Sequence, residues 1–284
     1  MIIDFHTHLF PDDVCSGRQC YCDSEPAFDL LYRSPKSRLV GASELLAAMD
    51  ENGVDQSVVF GFPWQAPALF KKHNDCIMEA VQKNSGRLIG FGCFDPQARE
   101  AAREAERCLD GGLCGIGELA YYQSGIDDNA LDRLAPVMEL CRERGRPVLI
   151  HTNEPIGHAY PGKTAVTLAQ IYRLVKRFAD TTIVLAHWGG GLFFFNLLKK
   201  EVKESLRNVY FDTAASPFLY QPPVYRVAIE AIGPDKILFG SDFPLLPPSR
   251  YFKEMEEGGV SVQDRALICG LNAARIFGAN GPPF

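Results

Sequence analysis

The chain has 284 residues, 46% hydrophobic and 23% charged, a composition that favours a globular protein with a sizeable core and excludes a disordered one. Its net charge of −6 argues against a nucleic-acid partner, and no apolar run reaches the roughly 18 residues of a membrane helix, so no membrane association is expected. Nine cysteines without regular spacing predict reduced thiols in a cytoplasmic protein, and residues 1–6 are typical of a strand rather than of a secretion signal.

Eight short apolar segments are the predicted strands, and the first of them is at the N-terminus. Most are apolar at every position rather than at alternate positions, which is typical of parallel strands that are buried on both faces. The predicted strands are residues 2–6, 54–60, 88–94, 113–118, 148–151, 183–187, 208–212 and 237–240.

Amphipathic helices are predicted between these strands. Apolar residues recur with a helical period of 3.6 in residues 98–109, 131–141 and 168–178. Strand–helix alternation indicates an α/β fold with a parallel sheet, and eight units in this length favour a (β/α)8 TIM barrel, with residues 1–284 as a single domain. The alternative, an open doubly wound sheet, would need a glycine-rich turn after an early strand, and residues 6–11 contain no glycine.

A long loop insertion after strand 1, residues 9–40, interrupts the alternation. It is rich in proline, cysteine and charged residues, and loops of this length are usually functional or disordered. Two interpretations follow: a lid over the site, or a flexible insertion.

Ionisable side chains stand at the carboxyl ends of several predicted strands. His6 and His8 are two residues apart, and side chains at i and i+2 of a strand share a face, so both imidazoles can chelate one ion. An isolated pair of this kind has an alternative interpretation, in which buried histidines bond to backbone carbonyls. Four more ionisable residues end or closely follow strands 4, 5, 6 and 8: Glu118, His151, His187 and Asp242.

These six side chains are expected to meet. An ionisable group that ends an apolar strand has a desolvation cost unless something pairs with it. In a barrel the carboxyl ends of all strands lie on one face, where active sites are found. Four imidazoles and two carboxylates on that face predict a site for Zn²⁺ or a similar divalent cation.

The chain resembles the amidohydrolase superfamily, and specifically its amidohydrolase-2 branch of metal-dependent barrel hydrolases and decarboxylases. Five motifs carry the resemblance, in the family's order, and the strand-4 position is a glutamate as in TatD-type hydrolases. The motifs are DFHTH (4–8), GIGE (115–118), IHTNEP (150–155), AHWGG (186–190) and FGSDFP (239–244). Together they are specific for the fold and the metal site, and much less specific for the substrate.

The resemblance implies a centre with one or two divalent ions, for which zinc is the expected metal. One ion would be held by His6, His8 and Asp242. In two-metal members, His151 and His187 hold a second ion and a strand-4 carboxylate, here Glu118, bridges the two. In one-metal members, His151 joins the first ion and His187 acts on the substrate. The carboxylate at position 118 favours two ions; alternatively, Glu118 pairs with a basic residue of the barrel.

The predicted reaction is hydrolysis of an ester, lactone or amide bond in a small molecule. A divalent ion lowers the pKa of bound water from about 15.7 to near 7. Asp242, as the general base, and His187 are the predicted catalytic residues. The alternative is decarboxylation or hydration of a small carboxylic acid on a single metal. A TatD-type nuclease is disfavoured by the acidic charge, and a non-catalytic barrel by the complete ligand set.

Four residues that follow the predicted ligands in sequence are the predicted substrate contacts: Tyr121, Asn153, His158 and Trp188. For His158, a hydrogen bond that braces its loop is an equal alternative. Asp212, which ends strand 7, is expected either to orient a ligand histidine or to bond at the barrel rim. Because loops rather than ligands encode the substrate, the sequence does not identify it, and an oligomer is compatible with the sequence.

Overall fold

The computed structural model describes residues 1–278, and eight parallel strands form its centre. They are β1 (Ile3–His8), β2 (Gln56–Phe60), β3 (Leu88–Gly92), β4 (Gly115–Leu119), β5 (Val148–Ile150), β6 (Ile183–Leu185), β7 (Val209–Asp212) and β8 (Ile237–Leu238). Each strand pairs with the next along the chain. The two ends of the sheet meet where Phe5 N donates to the carbonyl of Phe239 at 2.7 Å and His8 N to that of Phe243 at 2.8 Å. The predicted (β/α)8 barrel is confirmed.

Helices surround the strands. They are α1 (Asp12–Gly17), α2 (Gln19–Cys22), α3 (Pro26–Tyr32), α4 (Ala42–Asn52), α5 (Pro67–Lys83), α6 (Ala101–Asp110), α7 (Asp128–Arg144), α8 (Leu168–Arg177), α9 (Val202–Ser205), α10 (Ser216–Leu219), α11 (Val224–Ile232), α12 (Pro248–Glu257), α13 (Val262–Ala266) and α14 (Asn272–Phe277). Their apolar faces pack outside the sheet, as Phe70 and Ile77 of α5 do. No helix within residues 1–278 combines the length and the apolar character needed to cross a membrane.

β1 contains a β-bulge close to its two histidines. Between Asp4 and Thr7, β1 advances by three residues where β2 advances by two. A β-bulge of this kind re-aims side chains at the rim of a barrel. The rings of His6 and His8 both lie against Phe60, with centroids 5.0 Å and 4.8 Å away. Both histidines therefore lie on the same side of the strand.

The insertion after β1 is present as predicted, but it is not an irregular loop. It contains the short helices α1, α2 and α3, and Phe28 of α3 is fully buried. The ring of Phe28 lies 5.4 Å from that of Phe62 and 4.6 Å from that of Trp64. Helices this short gain their stability from tertiary packing. This packing contradicts the interpretation of the segment as a flexible insertion.

His73, in α5, joins the insertion to the barrel. Trp64 Nε1 donates to His73 Nδ1 at 2.8 Å, and His73 Nε2 lies 2.6 Å from the carbonyl oxygen of Leu9. An indole N–H can only donate and a carbonyl can only accept, so Nδ1 is unprotonated and Nε2 carries the hydrogen of a neutral imidazole. Burial lowers the pKa of His73 to about 4.

Acidification is expected to destabilise the fold through His73. The folded state keeps this imidazole neutral down to about pH 4, whereas the unfolded chain protonates it near pH 6.5. The stabilisation that the neutral His73 provides is therefore complete above about pH 6.5. It is lost as the pH falls towards 4, which lowers the free energy of unfolding by up to about 3 kcal/mol. Urea denaturation from about pH 7 to about pH 4.5 should show the stability difference between wild type and His73→Gln shrinking. A constant difference would contradict the neutral assignment.

Candidate active site

The six predicted ligands meet at the carboxyl ends of the strands, with Glu118 among the histidines. Glu118 Oε1 lies 2.9 Å from His151 Nδ1 and 3.4 Å from His187 Nε2. Glu118 Oε2 lies 3.6 Å from His6 Nε2. All four side chains are buried. The carboxylate of β4 therefore faces imidazoles that three other strands supply.

Asp242 faces the two histidines of β1. Its Oδ1 lies 3.2 Å from His8 Nε2 and 3.6 Å from His6 Nε2. Within residues 1–278, His6 Nε2 is buried without a hydrogen-bond partner, although two carboxylates stand 3.6 Å away. Ligands that share one ion at about 2.1 Å lie roughly 3–3.6 Å from each other. The two distances of 3.6 Å around His6 Nε2 suit a shared cation better than a direct hydrogen bond.

The donor atoms fall into three overlapping groups in which all atoms lie within 4.8 Å of one another. The groups are His6, His8 and Glu118; His6, His187 and Asp242; and Glu118, His151 and His187. Imidazole nitrogens combined with carboxylate oxygens are ligands that several divalent transition metals accept. The residues present therefore fit a divalent metal centre.

The cluster holds buried charges of opposite sign. Burial alone would raise the pKa of Glu118, but the imidazoles that face it outweigh burial, and its pKa lies well below the ordinary value. Burial would also raise the pKa of Asp242, but hydrogen bonding to a β1 histidine and the charges of nearby imidazoles lower it to about 2. Burial would lower the pKa of His187, whereas Glu118 raises it to about 9. Both carboxylates are therefore ionised at neutral pH and attract positive charge.

Asp212, at the end of β7, orients two of these histidines. Its Oδ2 lies 2.8 Å from His6 Nδ1, and its Oδ1 accepts from His187 N at 2.9 Å. The same Oδ1 accepts from Ala214 N at 3.0 Å. A carboxylate on the second nitrogen of an imidazole fixes which nitrogen faces a metal. The geometry favours this orienting role over a bond at the barrel rim.

Asp4, which was not among the predicted site residues, supports the site through hydrogen bonds. Its carboxylate accepts from Ser241 N at 2.9 Å and from the Ser241 hydroxyl. It also accepts from His6 N at 3.2 Å. Asp4 thereby ties β1 to the segment that carries Asp242. A carboxylate two residues before His6 in an apolar strand needs a partner, and that signal could have identified it.

A cavity of about 700 Å³ adjoins the cluster. All the predicted ligands except His6 line it, and the insertion after β1 contributes five further lining residues, so this segment covers part of the site. These residues were not predicted as substrate contacts, because their positions depend on how the insertion packs. Lining residues beyond the ligands include Leu31, Tyr32, Lys36, Ser37, Arg38, Tyr122, Tyr160, Phe218 and Leu245.

Of the four predicted substrate contacts, only His158 lines this cavity within residues 1–278. Trp188 is fully buried, and its indole N–H donates to the Ser216 hydroxyl at 2.9 Å. The backbone is left-handed at Trp188, with φ of +60°, and also at the three glycines that follow. This turn directs the indole towards Tyr225, with ring centroids 5.2 Å apart. Trp188 therefore packs inside the protein.

Tyr121 and Asn153 also lie outside the residues that line the cavity in the described chain. Tyr121 is buried, and its neighbour Tyr122 lines the cavity in its place. Asn153 Oδ1 accepts from Thr164 N at 2.8 Å and from the Thr164 hydroxyl at 2.7 Å. Asn153 thus closes the loop after β5, a role that depends on a partner eleven residues away.

Comparison with known proteins identifies a family and several relatives of similar sequence or structure. A family model described as Amidohydrolase, of the amidohydrolase-2 type, matches residues 3–279. The chain is 23% identical to 2-amino-3-carboxymuconate-6-semialdehyde decarboxylase of Dictyostelium discoideum, over 97% of this chain and 91% of that protein. It is similar to 5-carboxyvanillate decarboxylase of Sphingomonas paucimobilis, with a TM-score of 0.75, 23% identity, and 97% and 98% of the two chains covered. A dihydroxybenzoic acid decarboxylase of Polaromonas sp. JS666, with bound manganese and the inhibitor 2-nitroresorcinol, has a TM-score of 0.71, 20% identity, and 98% and 97% covered.

These relatives correct two of the predictions. They are named decarboxylases, and the chain matches them over nearly its whole length, so the predicted cleavage of an ester, lactone or amide bond is wrong. The error has a physical reason, since the ligand set on which the prediction rested does not encode the reaction. A divalent metal is supported by the imidazole–carboxylate cluster and by manganese in a similar structure, but zinc is not.

Proposed function

Because the chain belongs to the amidohydrolase family, we propose that it is a metal-dependent decarboxylase of a small aromatic carboxylic acid. The observation that carries this proposal is the buried imidazole–carboxylate cluster, which lines a cavity with aromatic walls. The names of the relatives support the same reaction class.

The cavity suits a flat, anionic molecule. Its volume of about 700 Å³ lies within the usual range of small-molecule pockets, about 300–1,000 Å³. Tyr32, Tyr122 and Phe218 supply aromatic rings, against which a substrate ring can stack or pack edge to face. Lys36 and Arg38 supply positive charge, which attracts a carboxylate. An aromatic acid satisfies both features.

The metal would be held by five residues of the three donor groups described above: His6, His8, Glu118, His151 and Asp242. His187, the sixth member of these groups, would act on the substrate instead. A divalent cation bound there would polarise the oxygens of an aromatic acid and so stabilise negative charge on the ring. Glu118 belongs to two of the three groups. The metal content per chain of wild type and of Glu118→Ala would distinguish one ion from two bridged ions.

His187 is placed to supply the proton that decarboxylation consumes, since a C–H bond replaces the bond to CO₂. Its Nδ1 lies 3.0 Å from the carbonyl of Ala214, which can only accept, so Nδ1 carries a hydrogen. Its Nε2 lies 3.4 Å from Glu118, which raises the pKa of His187 to about 9 against the opposite effect of burial. We assign the transferred proton to His187 Nε2. Asp242 stays ionised beside it and balances positive charge.

Release of CO₂ from aromatic acids tests the proposal. The chain is loaded with Mn²⁺ and assayed with 5-carboxyvanillate, 2,6-dihydroxybenzoate and 6-methylsalicylate, the acids that the names of its relatives indicate. We expect turnover of at least one acid, its loss after chelation, and its recovery when Mn²⁺ returns. Hydrolysis of p-nitrophenyl acetate serves as the control and should not depend on the metal. No CO₂ from any of the acids, with bound Mn²⁺ verified by elemental analysis, would contradict the proposal.

A further inference from the structure

We infer that Lys163 is a positioning residue for the proposed metal site. It folds the loop of residues 154–163 so that the carbonyl of Gly162 holds His151 by Nε2 and turns Nδ1 towards the ion. This inference rests on the metal site of the proposed function, but it does not depend on which reaction takes place there.

The two ring nitrogens of His151 have different partners. Nε2 lies 2.9 Å from the carbonyl oxygen of Gly162, and Nδ1 lies 2.9 Å from Glu118 Oε1. A carbonyl can only accept a hydrogen bond, so Nε2 carries a hydrogen and stays with the loop. Nδ1, which faces Glu118 among the proposed ligands, is therefore the nitrogen left to bind an ion. The orientation of this ligand therefore depends on where the loop places Gly162.

A single ammonium group holds the loop together. Lys163 Nζ donates to Glu154 Oε1 at 3.0 Å. It also donates to the backbone carbonyls of Ile156 at 2.9 Å and His158 at 3.3 Å. Tyr160 donates its hydroxyl to the other carboxylate oxygen of Glu154 at 2.8 Å. An ammonium has three hydrogens, and all three are used here, so the loop is folded around this side chain.

The ion pair between Lys163 and Glu154 is less exposed to solvent than an ordinary surface ion pair. The side chains of Lys163 and Glu154 are only 16% and 17% exposed. A pair at this depth is screened less by solvent than an exposed one. By contrast, the ion pair between Lys176 and Glu201 has side chains that are 49% and 61% exposed. Loss of Lys163 would leave Glu154 Oε1, on a mostly buried side chain, and two backbone carbonyls without this donor.

The attachment of the loop does not depend on Lys163. Asn153 and Thr164 close its neck with their own hydrogen bonds. Removal of Lys163 therefore changes the fold of the loop rather than its anchorage. Because His158 and Gly162 line the cavity, the same ammonium group shapes a metal ligand and one wall of the substrate cavity.

Binding of Mn²⁺ to the metal-free protein tests this inference, with Lys163→Met as the main variant. We expect Mn²⁺ affinity, measured by electron paramagnetic resonance of the free ion, to fall about 10–100-fold, the usual effect of losing a group that orients a ligand. Lys163→Arg keeps the charge and the donors and should recover most of the affinity. Lys176→Met is the matched control, because it removes an exposed ion pair whose two residues do not line the cavity in the described chain, and it should bind Mn²⁺ like wild type.

Glu154→Gln keeps the test decisive if Lys163→Met does not fold. It retains the shape of the side chain, removes the charge that faces Lys163, and should weaken Mn²⁺ binding in the same direction. Wild-type affinity in a folded Lys163→Met or Glu154→Gln protein, verified by circular dichroism, would overturn the inference and leave the metal site intact. Equal weakening in Lys163→Met and Lys176→Met would overturn it as well, since that result reports general instability. If wild type itself binds no Mn²⁺, the metal site of the proposed function fails.

Discussion

Replacing Asp242 with asparagine is expected to weaken Mn²⁺ binding at least about 10²-fold and to lower kcat/KM about 10³-fold. Asp242 Oδ1 lies 3.2 Å from His8 Nε2 and 3.6 Å from His6 Nε2. Burial would raise the pKa of Asp242, but the hydrogen bond to His8 and the charges of nearby imidazoles hold it at about 2. At neutral pH the amide therefore removes a full negative charge from a buried cluster that depends on it.

Asparagine tests the effect of the Asp242 charge by itself, because it fits the backbone conformation at this position. Asp242 has φ of +58°, a left-handed conformation that asparagine tolerates better than most residues. Asp95→Asn, just after β3, is the matched control: Asp95 Oδ1 accepts from Gln97 N at 2.9 Å, and an amide oxygen can keep that bond. Calorimetric titration with Mn²⁺ and CO₂ release at saturating Mn²⁺ measure the two effects. Wild-type values in Asp242→Asn would remove Asp242 from both roles.

The barrel could be predicted because each strand carries its own local signal. Continuous apolar runs follow from burial on both faces, and the predicted bounds lie within two residues of the observed ones at each end. The residues of the proposed metal site could also be predicted from the sequence, because a histidine such as His151 or His187 just after an apolar strand needs a partner. The closed ring then brings the strand ends together, which is why residues as distant in sequence as His6 and Asp242 could be placed in one site.

The structure of the insertion and the identity of the substrate-binding residues depend on long-range packing, which no local sequence pattern encodes. Helices α1 to α3 have only four to seven residues, too few for a clear helical period, and Phe28 is buried by rings that belong to Phe62 and Trp64. Asn153 was predicted to touch the substrate from its place beside His151, but its side chain closes a loop instead. Hydrolysis was predicted first and decarboxylation only as the alternative for a related reason, since the metal ligands do not encode the reaction.

Replacing His187 with asparagine is expected to lower kcat roughly 10²–10⁴-fold, the usual contribution of a positioned acid or base, while KM stays within a few-fold. The residue has φ of +55°, which asparagine tolerates. The side-chain NH₂ of asparagine can take the place of Nδ1–H and donate to the carbonyl of Ala214, which His187 Nδ1 faces at 3.0 Å. Only the Nε2 side of the ring is then lost, together with the proton that it holds.

The comparison with His158→Asn separates proton transfer from general damage to the cavity. His158 also lines the cavity but is exposed, and none of the three donor groups contains it, so the same chemical change there should alter kcat only a few-fold. Steady-state assays of CO₂ release and metal analysis of both variants decide the matter. If His187→Asn keeps its Mn²⁺ and loses kcat, His187 acts on the substrate. If Mn²⁺ and activity disappear together, His187 is a metal ligand and the proton must come from another group.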